Sequence, residues 1–241
     1  MLEDNSVVAR MKTRSSNLRR EDSVKGFYGL DLRKKSSVKI GIFVLLAAAV
    51  LYLLYVLSQQ NYLLFHSSVE IFTVVIAFAA FTIAWNSRRI MDNKYALFVG
   101  IAFLFVGFLD LLHTLTYKNM NVFSWIGVHP NVATQLWIAM RYFFSFSVLS
   151  PLFFVRRKIR LPLFLAVCTA TTALIVTSIF YWQNFPVAYV DGVGLTPFKV
   201  ASEYAISLIL IVAIGLLYKK RKEFSSNVFK LLMAAMVTAV A

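Results

Sequence analysis

Two short stretches set acids and imidazoles inside otherwise apolar sequence. FHSSVEIFT carries His66 and Glu70, four residues apart, with Thr73 three further on. FLDLLHTLTYK carries Asp110 and His113, three apart, with Tyr117 one turn later. Residues three and four apart share a helix face, so each stretch presents one acid and one imidazole on one side. Two neutral imidazoles and two carboxylates make a ligand set for a divalent transition metal. The same residues allow other chemistry. Histidines that take up a proton would sense pH. His66 and His113 on opposite helices would hold a haem. An open pocket for a small polar or aromatic ligand would be walled by Trp137, Tyr142 and Phe144. An architectural reading stands beside these, because polar groups also tie membrane helices together.

The elements that must position these residues are apolar helices. The chain is 59% hydrophobic and 15% charged over 241 residues, with a mean hydropathy of +0.71. That is more apolar surface than a soluble domain can hide. Apolar runs at roughly 38–57, 62–86, 95–117, 132–155, 161–182 and 199–218 each have about the 20 residues that a hydrocarbon core requires. A seventh begins near Val228 and stops at Ala241, too short to span. The expected fold is all-α: a polytopic transmembrane helix bundle with six complete spans and an incomplete seventh, a piece of a longer protein. Residues 38–241 form the membrane domain. Residues 1–37 are basic, lack helical periodicity and are expected to form a disordered cytoplasmic tail near anionic lipid.

The charge pattern orients the spans. Net charge is +14, and ten of the 25 Lys and Arg lie in the first 39 residues. Arg88, Arg89 and Lys94 fall in one loop, Arg156, Arg157, Lys158 and Arg160 in another, and Lys219, Lys220, Arg221 and Lys222 in a third. The intervening loops hold only Lys118 and, at a span edge, Lys199. Basic loops stay cytoplasmic, so the N-terminus is expected inside an inner membrane and loops 58–61, 118–131 and 183–198 outside. His66, Glu70, Asp110, His113, Arg141 and Glu203 then gather in the outer leaflet, at depths of roughly 6 to 14 Å from the 1.5 Å helical rise. Three carboxylates face one obligatory cation, Arg141, and lipid does not tolerate such faces, so they are expected to turn towards one another.

Other classes recede. The basic residues sit in a tail and in loops, not on a folded soluble face, which argues against nucleic acid. Cys168 has no second cysteine to pair with and reads as a buried small hydrophobe. His129 reads as a solvated loop residue. There is no GxSxG, Walker loop, HExxH or CxxC motif. A membrane-embedded metal hydrolase using His66, Ser67, Asp110 and His113 remains an alternative, as does a small transporter.

At these residues the sequence resembles the third type of membrane-associated sensor domain of bacterial signalling receptors. The stretches that carry the resemblance are NYLLFHSSVEIFTVVIAFAAFTIAWNSRR, GIAFLFVGFLDLLHTLTYKNM, NVATQLWIAMRYFFS and DGVGLTPFKVASEY, within about residues 40–241. One departure is Asn119, where the family pattern suggests glycine. The resemblance implies about eight spans in the full domain. It implies a sensory role ahead of a cytoplasmic PAS domain, histidine kinase or GGDEF diguanylate cyclase. A homodimeric receptor is expected. The resemblance places ligand or metal binding on His66, Glu70, Asp110, His113 and Arg141 only. Glu203, Trp137 and Tyr117 are secondary candidates from their positions in the sequence.

Overall fold

A computed structural model describes residue 39 and residues 41–91, 94–120, 122–123, 130–154 and 160–240. The tail 1–37, His129 and the basic residues Arg156, Arg157 and Lys158 lie outside the described residues.

Among the described residues, six helices are long and apolar enough to cross a membrane. They are α1 (Gly41–Gln60), α2 (Tyr62–Ser87), α3 (Lys94–Leu115), α4 (Pro130–Phe154), α5 (Leu161–Val176) and α6 (Pro197–Lys219). A shorter apolar helix, α7 (Ser226–Val240), follows. The fold is thus all-α, as the hydropathy pattern requires. Except at the end of α5, the bounds lie within three residues of that pattern, because capping and turn chemistry set helix ends. Thr196 caps α6 by accepting from the Lys199 N–H. Pro197 and Pro162 sit in first turns, where the missing N–H costs nothing. The fifth run ends in one turn of π-helix, Thr177–Tyr181.

The chain divides into two compact units, residues 1–62 and 63–241. In the first, α1 carries exposed apolar side chains such as Phe43 and Leu51, 72% and 67% accessible, a surface suited to lipid.

In the second unit α3 is the axis. It packs on α4 and α5, α4 packs on α6, and α6 packs on α7. Tyr95, Ile101 and Leu109 on α3 and Leu136, Ile138 and Leu152 on α4 are fully buried. Tyr95 donates to the Val148 carbonyl, and Lys220 donates to the Leu152 carbonyl near the α4 C-terminus, where carbonyls lack helical partners.

α2 meets α3 along a narrow antiparallel seam. A Cβ at Gly100 would collide with the Ala84 methyl, and one at Gly107 would come within 3.0 Å of the Ala77 methyl. Further along, Thr73 meets Asp110 and His66 meets Tyr117. Steps of seven, four and seven residues on α2 match seven, three and seven along α3 and the turn after it, the spacing of two helices packed at a shallow angle. Small residues let the backbones approach in membranes. Here they close one half of the seam, and polar residues occupy the other.

A two-stranded hairpin, β1 (Tyr189–Val190) and β2 (Gly194–Leu195), links α5 to α6. Gly192 and Gly194 take φ of +80° and +105°, which glycine adopts without strain. Asn131 on α4 accepts from the Ala188 and Tyr189 N–H groups, and Gln135 donates to the Phe185 and Pro186 carbonyls. The hairpin is thereby fixed to the same end of α4 that faces His113.

Candidate functional site

His66 and Glu70 lie in the first turns of α2 and Asp110 and His113 in the last turns of α3, so antiparallel packing brings all four to one end of the seam. His66 Nε2 is 3.7 Å from Glu70 Oε1. The His66 and His113 rings are 5.6 Å apart between centroids. One donor atom from each of His66, Glu70 and His113 lies within 4.8 Å of the others. The Glu70 and Asp110 carboxyl groups are close enough to act on each other, and such a pair repels itself unless a proton or cation intervenes.

Each member is held by its surroundings. The Thr73 hydroxyl lies 2.8 Å from both Asp110 Oδ2 and the Glu70 carbonyl. The His66 ring stacks on Tyr117 at 4.0 Å. His113 Nδ1 is 2.8 Å from the Ala133 carbonyl on α4. A carbonyl only accepts, so Nδ1 is the donor and Nε2 keeps its lone pair. His113 and Asp110 are each 5% exposed, whereas the side chains of His66 and Glu70 are 14% and 21% exposed. The cluster is therefore sealed on the α3 side and reachable from α2. His113 Nε2 and Asp110 Oδ1 are buried with no hydrogen-bond partner among the described residues.

Arg141 belongs to a different group. Its Nη2 donates to the Ala239 carbonyl of α7 at 2.7 Å, and its guanidinium lies 5.6 Å from the Trp137 ring centroid. Lys199 sits 5.0 Å from the same ring and pairs with Glu203 one turn on. Of the eight residues singled out from the sequence, His66, Glu70, Asp110, His113 and Tyr117 thus come together, while Arg141, Trp137 and Glu203 form a second group between α4, α6 and α7. Tyr142, expected to wall the site, instead lines an apolar cavity of about 370 Å³ between α4 and α5 with Phe146, Phe164 and Cys168. A second apolar cavity, of about 540 Å³, lies among α2, α3 and α5. Sequence reasoning missed the Ala133 carbonyl, which has no side-chain signature. It also underrated Lys199, whose i, i+4 spacing to Glu203 was a usable signal.

Asn119 has φ +74°. This left-handed region favours glycine and tolerates asparagine better than other residues, so the departure from the family pattern keeps the turn after α3.

Six apolar helices among the described residues define a multi-pass membrane protein. Residues 57–241 match the model of the MASE3 family, membrane-associated sensor domain, and the chain belongs to that family. Its role is membrane signal sensing. Neither a curated protein nor a solved structure gives a significant match.

Proposed function

We propose that the chain is the sensory domain of an inner-membrane receptor, and that His66, Glu70, Asp110 and His113 bind its signal, a small ligand or metal ion. The observation that carries this reading is a cluster of two acids and two imidazoles with no Lys or Arg ion pair among the described residues, two of whose buried polar atoms are left unsatisfied. A group that only glued helices together would be expected to satisfy its own members. With the basic loops cytoplasmic, the cluster faces the periplasm, and the signal enters there. Occupancy changes how α2 sits on α3, and that packing sets the activity of a cytoplasmic histidine kinase or diguanylate cyclase in a homodimer. A ligand shifts such an equilibrium only by binding one packing better than the other.

The test is a full-length receptor carrying His66→Ala with His113→Ala. The output should no longer respond to its signal while the protein still reaches the membrane. A wild-type response from that pair would end the site reading.

A further inference from the structure

Resting on that reading, we infer that the occupant is a divalent transition metal ion, held by His66, Glu70 and His113, with Asp110 as fourth ligand or as acceptor for a bound water. Three observations converge on it.

The first is donor type and state. His113 donates from Nδ1 to the Ala133 carbonyl, the arrangement that fixes the tautomer and ring plane of a metal-binding histidine. Its Nε2 is left buried, with a lone pair and no partner among the described residues. Thr73 holds one Asp110 oxygen and leaves the other bare. Imidazole with carboxylate suits zinc and its neighbours, whereas Mg²⁺ and Ca²⁺ take all-oxygen shells.

The second is charge. With both carboxylates ionised and both imidazoles neutral the group would carry −2, which one divalent ion cancels. A neutral ligand would leave Glu70 and Asp110 to share a proton or repel each other. An anionic ligand would meet no Lys or Arg within the group. A haem between the histidines would need the space that Glu70 and Tyr117 fill beside His66.

The third is distance. Tetrahedral bonds of 2.0–2.2 Å set ligand atoms about 3.3 Å apart. The His66–Glu70 separation is 3.7 Å, and the full set spans up to 4.8 Å. Ligation therefore draws the donors together by roughly 1 Å, given those bond lengths. His113 is anchored to both α3 and α4. α2 supplies two ligands and buries only Ser67, Val74, Ala77 and Ala84, so α2 is the element that moves. The metal acts as a clasp that tightens the polar half of a seam whose other half is already closed by Gly100 and Gly107.

The experiment is titration of the purified full chain in lipid nanodiscs with Zn²⁺, with Co²⁺ as the coloured probe and Mg²⁺ as control, alongside elemental analysis. One Zn²⁺ per chain should bind, Co²⁺ should give the visible absorption of a four-coordinate site, and Mg²⁺ should not compete. Glu70→Gln and His66→Gln, which keep size and leave the His113 anchor intact, should abolish stoichiometric binding. Thr73→Val should weaken it by about 10-fold or more, as loss of a supporting contact does. Absence of Zn²⁺ and Co²⁺ binding to the wild type, or binding unchanged in both Gln variants, overturns the inference. If the receptor's response depends on His66 and His113 yet the protein binds no metal, the metal inference fails and the signal-site reading stands. If metal binds as described and the output ignores it, the metal site stands and the signalling role fails.

Discussion

Two polar groups lie within the helices of this domain, and they solve the cost of burial in opposite ways. Between α4, α6 and α7, each charged group has at least one partner, although Arg141 Nε has none among the described residues. Arg141 reaches the Ala239 carbonyl and the Trp137 ring, and Lys199 reaches Glu203. Between α2 and α3, two acids and two imidazoles share one site with no Lys or Arg ion pair among the described residues, and buried atoms of Asp110 and His113 have no partner among them. A group whose charges are paired holds helices in place. A group whose acids have no Lys or Arg partner among the described residues is stable only if something else completes it. The contrast separates a structural tie from a candidate binding site more sharply than residue type does, since both groups contain an acid and a nitrogen base.

Substitutions at each group should therefore fail in different assays. The largest effect belongs to Glu70→Gln, which keeps shape and removes a charge from the unmatched group. The signal concentration for half response should rise by at least about tenfold, while thermal stability in detergent stays level or rises because a buried carboxylate is gone. Gly100→Leu comes next. Its side chain must displace Ala84, so overpacking should cost about 1–3 kcal/mol, read as a lower melting temperature together with a blunted response. Arg141→Met should do the reverse of Glu70→Gln. It leaves the Ala239 carbonyl without its charged donor, should cost about 1.5–3 kcal/mol, and should leave the half-response concentration unchanged. Lys199→Ala is the mildest. An i, i+4 pair whose Glu203 side chain is 41% exposed should contribute less than about 1 kcal/mol. Equal behaviour of Glu70→Gln and Arg141→Met in both assays would erase the distinction between the groups.

Much of this was legible in the sequence, for physical reasons that also explain what was not. Hydropathy gives the spans because the bilayer sets their length. The i, i+3 and i, i+4 spacings give a polar face on each of α2 and α3 because helix geometry is fixed. Antiparallel adjacency then brings His66, Glu70, Asp110 and His113 together almost without choice. Arg141 was harder. It shares an end of the molecule with the four, but which neighbour it meets depends on the rotation of α4 and on where α7 arrives, and neither is encoded in local spacing. The π-turn at Thr177–Tyr181 and the hairpin at Tyr189–Leu195 are likewise consequences of packing against α4. Asn119 could have been read correctly from chemistry alone, since asparagine is the residue other than glycine best able to hold its φ of +74°.

The most direct measurement is a double-mutant cycle on His66 and His113 in the full-length receptor, read as signal-dependent output. If both rings serve one site, either alanine alone should abolish the response and the pair should do no further harm, a strongly non-additive cycle. Independent, partial and additive losses would mean that the two histidines act in separate places, and the account of a shared site across α2 and α3 would be wrong.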